Sequence, residues 1–186
     1  LSFAEGGDAA ALAQANRYLA LLHHIVLKSH AARGRSALFD LIDDAAAEAL
    51  DGDRCAVFVP ADDDALGGWQ PWPAHEKRLR ARWGAVGFAR TLLEAARVRR
   101  RPLLMARAGD LGPSASLLEA GVQSAMAAPV RVGDDVHALL YVDRIEGEAP
   151  FRRVDLEFLA AVANQRPQGG GRRGDKGGRP RTNRER

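Results

Sequence analysis

The sequence predicts an α+β fold in which amphipathic helices cover an antiparallel sheet, and three observations support this prediction. Segments 122–132 and 136–143 carry apolar residues with a period of two, which is typical of strands that bury one face. Gly133 and the two Asp residues that follow it favour a tight turn between these segments. Apolar residues with helical spacing occur before and after the pair, and such helices bury their apolar face on a sheet.

The first predicted helix runs from about Asp8 to Arg33, where Gly34 favours a C-cap. Its apolar residues recur at alternating spacings of three and four, which is the pattern of a short heptad stripe. The stripe consists of Leu12, Ala15, Leu19, Leu22 and Val26. Two interpretations stay open: the stripe pairs with a second copy of the chain, or the helix lies against its own domain.

The second predicted helix begins at Ser36, a favourable N-cap, and ends at Gly52. One of its faces is apolar, and acidic residues line the other face. These acidic residues are Asp40, Asp43, Asp44 and Glu48. A nearly continuous apolar run then predicts a strand over 55–59. Segment 61–73 is rich in Asp, Gly and Pro, which predicts a loop with one short strand around 69–72.

Four further elements complete the predicted order of helix, helix, strand, strand, helix, strand, hairpin, helix. A third helix spans 87–100, and the arginines at its C-terminal end favour the helix dipole. A short strand follows over 103–105, and a helical turn is predicted over 114–119. After the hairpin, an apolar helical stripe predicts the last helix over 151–165.

Composition and charge predict three parts: an N-terminal helix (1–35), a folded domain (36–165) and a disordered tail (166–186). The tail holds eight of the 27 basic residues and two of the 24 acidic ones, and it has no large apolar residue to bury. It is either a solvated extension or a weak nucleic-acid contact. A single Cys, no signal peptide and no apolar run of about 20 residues predict a cytoplasmic protein without membrane association.

No residue cluster in the chain predicts a chemical reaction, so the sequence predicts no catalytic residue and no enzyme. His23 and His24 are adjacent and face different sides of a helix, and no Cys or His spacing is typical of a zinc site. The acidic run 62–64 lacks the pattern of a calcium loop. Ser124 has no neighbouring base, and we expect a buried hydroxyl that is satisfied by the backbone. We therefore expect no metal and no cofactor.

Four segments, taken together, resemble a GAF domain, the small-molecule-sensing module of many signalling proteins. They are DRCAVFV at 53–59 and the segments 88–105, 116–144 and 150–165. In that family a Gly-[Ile/Val]-x-Ser-x-x-x-x-Pro motif precedes the hairpin, and it is matched here by Gly121, Val122, Ser124 and Pro129. The second strand of the hairpin typically ends in Gly-x-Leu-x-[Val/Leu]-Asp, and the residues here are Ala138, Leu140, Val142 and Asp143.

The last helix of the family opens with Pro-Phe-x-x-x-Asp-x-x-x-Leu, which is matched by Pro150, Phe151, Asp155 and Leu159. Arg152 stands where a Ser or Thr usually caps that helix, so we expect its first turn to fray. The resemblance implies a GAF-like central antiparallel sheet of about five or six strands with helices on its faces. It is strongest to bacterial copies that follow forkhead-associated domains in transcriptional activators, cyclases and phosphatases.

The resemblance implies a regulatory function, in which a small molecule is sensed or copies of the chain dimerise through the N-terminal helix. The Asn-Lys pair of cyclic-nucleotide binders is absent, and Cys55 on a buried strand is unlike the linking Cys of bilin-binding members. The ligand is therefore an unknown small molecule. Its predicted contacts are Phe58, Trp72, Phe88, Leu92, Met105, Met126 and Tyr141. The alternative is an interaction module that senses nothing, or nucleic-acid contact through the tail.

Overall fold

The computed structural model describes residues 3–61, 68–83, 87–107, 110, 121–145 and 149–165, with side chains except at 3–8 and 80–83. The elements in chain order are α1 (Phe3–Ala31), α2 (Arg35–Leu50), β1 (Arg54–Pro60), β2 (Trp69–Pro71), α3 (Pro73–Trp83), α4 (Arg90–Arg99), β3 (Leu103–Met105), β4 (Ser124–Val132), β5 (Asp135–Arg144) and α5 (Arg153–Ala163). The predicted turn over 114–119, the acidic run 62–64 and the basic tail lie outside the described residues.

Five strands form one antiparallel sheet in the order β2-β1-β5-β4-β3. β4 and β5 pair from Ser124 opposite Arg144 to Val132 opposite Asp135, with one shift of register after Val130. Gly133 adopts φ 65° in the turn between them, a conformation that glycine tolerates best. The predicted α+β fold, its hairpin and the short strands around 69–72 and 103–105 are confirmed.

Both faces of the sheet are covered, which explains why the central strands are apolar at nearly every position. Helices α2 and α5 pack on one face, where they bury the side chains of Val57, Met126 and Leu140, and α1 packs on α2 and α5. Helices α3 and α4 pack on the other face. Successive side chains of a strand point to opposite faces, so Phe58 and Tyr141, one residue further along β1 and β5, belong to this second face.

Helix α1 packs on its own domain with one side only. Tyr18 stacks on Phe158 of α5 at 4.3 Å between ring centroids, and its hydroxyl donates to Asp155 Oδ1 at 2.6 Å. Burial and this hydrogen bond raise the pKa of Tyr18 to about 12. The predicted stripe is divided between two environments. Ala15 and Leu22 are half-buried, whereas the other three members are exposed: Leu12, Leu19 and Val26.

Helix α3 was absent from the predicted element order, which placed no helix between the second strand and residue 87. Pro73 occupies its first position, which suits a residue without a backbone N–H. Among its described side chains, the buried ones are His75 and Leu79, so the helix lacks the repeated apolar spacing that would reveal it.

Two predictions of helix caps were wrong. Gly34, with φ 89°, occupies the N-cap of α2, and Ser36 lies inside the first turn and caps nothing. Asp43, on the acidic face of α2, is fully buried, because α3 covers that side of α2 and its Arg78 donates to the carboxylate. Asp155 Oδ2 accepts the N–H of Arg152 at 2.7 Å and so caps α5, an interaction that opposes the expected fraying of its first turn.

Candidate ligand core and its polar networks

Five of the seven predicted ligand contacts meet on the face of the sheet under α4. Phe58 comes from β1, Tyr141 from β5 and Met105 from β3, while Phe88 directly precedes α4 and Leu92 lies in its first turn. All five are buried. The antiparallel order of the sheet brings these separate segments together, because β5 lies between β1 and β4. We refer to these five residues as the α4-side core.

Three aromatic rings fill the centre of the α4-side core. Phe58 lies edge to face on Phe88 with ring centroids 4.8 Å apart, and each of them lies 5.6 Å from the ring of Tyr141 in the same manner. Edge-to-face pairs at these distances are favourable beyond the area that they bury. A ligand that entered between the sheet and α4 would therefore have to displace at least one of these rings.

The other two predicted contacts, Met126 and Trp72, lie with the opposite face of the sheet. Met126 is paired with Val142 in the register of β4 and β5, and both pack toward α2 and α5. Trp72 is half-buried against Phe39 of α2, with ring centroids 5.1 Å apart. The seven residues therefore do not form one site. Contact of any of them with a ligand stays a prediction.

A buried polar network adjoins the α4-side core. Arg54 Nε donates to Asp143 at 2.8 Å and 3.1 Å to its two carboxylate oxygens, and a second guanidinium nitrogen donates as well. The hydroxyl of Tyr141 donates to Asp143 Oδ2 at 2.7 Å and accepts the N–H of Ala89 at 3.2 Å. The guanidinium also lies 5.2 Å from the ring centroid of Phe88. We call these four linked residues the Arg54–Asp143 network: Arg54, Ala89, Tyr141 and Asp143.

Electrostatics in the Arg54–Asp143 network favour a charged pair despite its burial. Burial raises the pKa of Asp143, and the hydrogen bonds and charge of Arg54 oppose this shift. Burial alone would lower the pKa of Arg54, but Asp143 outweighs it and raises the pKa. Burial and the charge of Asp143 raise the pKa of Tyr141 well above its ordinary value, so its hydroxyl remains a donor. The network was not predicted. The signal for it was Arg54, directly before the predicted strand 55–59, and Asp143, at the end of the predicted strand 136–143.

Helix α3 supplies side chains that complete the open edge of β1. β2 pairs with β1 only over 58–60, which leaves the backbone groups before that point without a strand partner. His75 Nδ1 accepts the N–H of Val57 at 3.1 Å, and Arg78 donates to the carbonyl of Cys55 at 3.2 Å. Because Nδ1 accepts, Nε2 carries the hydrogen of the neutral ring and donates to Asp40 Oδ1 at 3.2 Å.

A second buried carboxylate, Asp43, lies behind this edge. It accepts a hydrogen bond from Arg78, and His75 Nε2 is 3.9 Å from its Oδ2. Among the described residues, no hydrogen-bond partner reaches Asp43 Oδ1. Burial raises the pKa of Asp43, while the hydrogen bond and charge of Arg78 oppose the shift. The thiol of Cys55 donates to the carbonyl of Asp43 at 3.6 Å, and burial raises its pKa, which makes it unreactive.

A cavity of about 260 Å³ opens between α2, β1 and α3. Its lining residues are Ala47, Gly52, Asp53, Arg54, Cys55, Arg78 and Leu79. This volume is below the roughly 300–1,000 Å³ that is usual for a small-molecule pocket. A side chain at Gly52 would overlap Val142, so the close approach of the chain to β5 at the cavity wall requires glycine there.

Three remaining predictions concern metals, membranes and Ser124. Within the described residues, no group of three or more His, Cys, Asp or Glu side chains could hold a metal ion. No helix in the described part of the chain is both long and apolar enough to cross a bilayer. Ser124 is buried, donates to the carbonyl of Met105 at 3.0 Å and accepts the N–H of Phe151 at 3.1 Å, as predicted for a hydroxyl satisfied by backbone.

The described residues form a five-stranded antiparallel sheet between two helical layers. The family model described as GAF domain matches residues 35–165. The chain therefore belongs to the GAF family, and the matched part begins where α2 begins.

Solved structures of bacterial GAF domains share this fold. The GAF domain of a phosphoenolpyruvate-protein phosphotransferase from Coxiella burnetii is 20% identical, with a TM-score of 0.54 over 79% of this chain and 88% of that one. The GAF domain of the corresponding Acinetobacter protein is 18% identical, with a TM-score of 0.55 over 80% and 89%. GAF3 from Slr1393 of Synechocystis sp. is 18% identical, with a TM-score of 0.51 over 70% and 89%. No curated protein matches the chain by sequence.

Proposed function

We propose that this chain is the regulatory GAF domain of a cytoplasmic bacterial signal-transduction protein, without catalytic activity of its own. Two copies pair through α1 and thereby control an output domain. The output is a transcriptional activator, a cyclase or a phosphatase, as the resemblance to copies behind forkhead-associated domains implies. Small-molecule sensing by the α4-side core biases this pairing.

The observation that carries the proposal is the exposed apolar stripe of α1. Leu12, Leu19 and Val26 follow one another at intervals of seven residues and are 64%, 64% and 37% exposed. Tyr18 and Ile25 already anchor the helix to its own domain through a different side. An apolar stripe with heptad spacing that its own domain leaves uncovered is the surface on which a second helix packs.

Leu19→Glu tests the pairing. A charge in the middle of the stripe would have to be buried unpaired in a helix pair, so we expect the full-length variant to sediment as a monomer at concentrations where the wild type is a dimer. Ala10→Glu is the matched control, because Ala10 is exposed on the opposite side of the same helix. A wild-type monomer, or a Leu19→Glu dimer as stable as the wild type, contradicts the proposal.

Sensing is favoured by a separate observation, the link between the α4-side core and two elements of the fold. Tyr141 contacts Phe58 and Phe88 with its ring and bonds Asp143 and the N–H of Ala89 with its hydroxyl. A ligand that displaced one of these rings would disturb the end of β5 and the start of α4 together. Ligand binding on this face therefore has a physical route to the rest of the domain.

A thermal-shift screen of nucleotides, fatty acids and aromatic metabolites tests the sensing. A ligand at about 100 times its Kd adds about 2.7 kcal/mol to the free energy of unfolding, which is readily visible as a higher Tm. Met105→Ala should reduce the ligand-induced shift, whereas Met126→Ala should not. The two methionines are equally buried but lie on opposite faces of the sheet. If no compound raises the Tm, sensing is contradicted and pairing alone remains.

A further inference from the structure

The cavity between α2, β1 and α3 has two arginines in its wall, and they differ in exposure. Arg54, from β1, is 4% exposed, whereas the side chain of Arg78, from α3, is 48% exposed. Arg54 therefore lies at the closed end of the cavity and Arg78 at its open end. We call this space the Arg54–Arg78 cavity. None of the five residues of the α4-side core lines it.

Both arginines keep hydrogen-bond donors that their ion pairs do not use. In the described part of the chain, Arg54 bonds Asp143 through Nε and Nη2, and no hydrogen bond involves its Nη1. Arg78 bonds Asp43 and the carbonyl of Cys55 through Nη2. Its Nε and Nη1 make no hydrogen bond to a described group. Two cationic groups thus retain N–H donors at the same cavity.

The unused donor of Arg54 is reached from the cavity. Among the described residues, the buried side-chain atom without a hydrogen-bond partner is Asp43 Oδ1, and Arg54 Nη1 is not in that situation. Arg54 Nη1 therefore touches solvent space although its residue is almost wholly buried, and the space that Arg54 borders is the cavity. A ligand at this point would displace solvent, whereas a ligand in the α4-side core would have to displace a ring.

The charges at the cavity favour a ligand with a single negative charge. Guanidinium groups bind a carboxylate through paired N–H donors. Asp53 also lines the cavity, where its Oδ2 accepts the N–H of Ile145 at 2.7 Å, and Asp44 Oδ1 lies 3.8 Å from Arg78 Nη1. These two carboxylates would repel a second negative charge on the ligand. A monocarboxylate therefore fits better than a phosphate dianion.

The size and the apolar wall of the cavity restrict the rest of the ligand. Ala47 and Leu79 line it, so a short hydrocarbon part finds apolar contacts beside the guanidinium groups. The volume of 260 Å³ corresponds to about nine water molecules at roughly 30 Å³ each. A nucleotide or a long acyl chain does not fit into this volume.

We propose that the Arg54–Arg78 cavity binds a short aliphatic monocarboxylate. The carboxylate lies between the two guanidinium groups, and the hydrocarbon part lies against Ala47 and Leu79. The bound acid joins α2, β1 and α3, and α3 is otherwise held at the edge of β1 mainly by polar contacts. Binding therefore holds α3 more firmly in place. The inference depends neither on the pairing through α1 nor on a ligand in the α4-side core.

Titration of the full-length, ¹⁵N-labelled protein with sodium butyrate, followed by NMR, tests the site. We expect saturable shifts of the backbone amides of 52–55 and 78–79, and slower amide hydrogen exchange in α3. Butyramide, which has the same shape without the charge, should produce neither effect. Sodium chloride at the same ionic strength should not produce them either. Absence of a saturable shift at both segments overturns the proposal.

Ala47→Leu and Arg78→Gln, each checked for folding by circular dichroism, locate the binding. Ala47 is exposed, so a leucine there fills the open cavity without disturbing the core, and we expect the Kd for butyrate to rise at least about tenfold. Arg78→Gln removes a charged donor and should raise the Kd by a similar factor. Ala10→Leu, at an exposed alanine of α1, is the matched control and should keep the wild-type Kd.

The same variants separate this site from the α4-side core. A Kd that Ala47→Leu leaves unchanged places butyrate outside the Arg54–Arg78 cavity and overturns the proposal. Binding that Met105→Ala abolishes and Ala47→Leu preserves assigns the acid to the α4-side core. That outcome overturns the site proposed here and leaves the sensing by the α4-side core intact.

Discussion

Two fully buried carboxylates, Asp143 and Asp43, lie on either side of β1, and they differ in their hydrogen-bond partners. Asp143 receives bonds from a guanidinium that is itself buried, that of Arg54, and from the hydroxyl of Tyr141. Asp43 receives one from Arg78, whose side chain is 48% exposed, and its Oδ1 has no partner among the described residues. Asp143 is therefore a fully paired buried charge, whereas Asp43 is a buried charge that is only partly paired.

The difference follows from where each arginine originates. Arg54 and Asp143 stand opposite each other in the register of β1 and β5, so the sheet itself fixes their separation. Arg78 reaches Asp43 from α3, a helix attached mainly through polar contacts at the edge of β1. A pair built into the sheet opens only if the sheet opens, whereas a pair that depends on a peripheral helix responds to movement of that helix.

The largest effect on stability is expected when Asp143 loses its ion-pair partner. Arg54→Met leaves Asp143 buried without its ion-pair partner, which typically costs about 3–5 kcal/mol. Arg78→Met should cost less, about 1–3 kcal/mol, because the side chain of Arg78 is 48% exposed and solvent screens its ion pair with Asp43. Urea unfolding of both variants, followed by circular dichroism, measures the difference in the free energy of unfolding.

Arg54→Met/Asp143→Asn is the control for this interpretation. Removing the charge of the carboxylate should restore part of the stability that Arg54→Met loses, so the effects of the two changes should be strongly non-additive. Equal losses for Arg54→Met and Arg78→Met would show that the two carboxylates are held in the same way, which the contrast between them forbids.

The sequence predicted the central strands of the sheet and missed helix α3, for a physical reason. Strands β4 and β5 were predictable because their apolar period and Gly133 are local signals. Helix α3 was not, since Leu79 is its one buried apolar residue among those whose side chains are described. The burial of Asp43 depends on α3, so it could not be predicted without that helix.

The candidate ligand residues show the same limit. Five of the seven share the face of the sheet under α4, but the sequence could not decide between neighbouring positions of β4, where both Met126 and Ala127 are buried. Only the pairing of Ala127 with Tyr141 and of Met126 with Val142 settles which residue belongs to which face. Register is a long-range property that a single strand does not encode.

The second prediction concerns Asp43 and the pH dependence of the free energy of unfolding. At pH 8, Asp43→Asn should raise the free energy of unfolding by about 1 kcal/mol, because the amide oxygen still accepts from Arg78 and the buried charge is gone. The pKa of Asp43 is raised by folding. Between the unfolded and folded pKa values the folded state binds more protons, so the wild type gains stability as pH falls through the folded pKa.

The advantage of Asp43→Asn should therefore shrink as the pH is lowered from 8 to 5. Urea unfolding of both proteins in the Leu19→Glu background, where dissociation of the dimer does not contribute, measures this trend. If the stability gained by Asp43→Asn grew on acidification, folding would lower the pKa of Asp43. The contrast between Asp43 and Asp143 would then have to be abandoned.

The smallest effect is expected at an exposed ion pair, which gives the baseline for both buried ones. Arg97 and Glu94 are one helical turn apart on α4, with side chains 43% and 49% exposed, and Arg97 Nε donates to Glu94 at 2.8 Å. Glu94→Gln should change the free energy of unfolding by at most about 0.5 kcal/mol, and 1 M salt should remove even that.

The hydrogen bond from Arg97 lowers the pKa of Glu94, so its contribution is present at neutral pH and is lost as pH falls through the lowered pKa. This sign is opposite to that of Asp43. A pH series of Glu94→Gln and Asp43→Asn against the same parent should therefore give slopes of opposite sign, and slopes of the same sign would show that burial is not what distinguishes the two carboxylates.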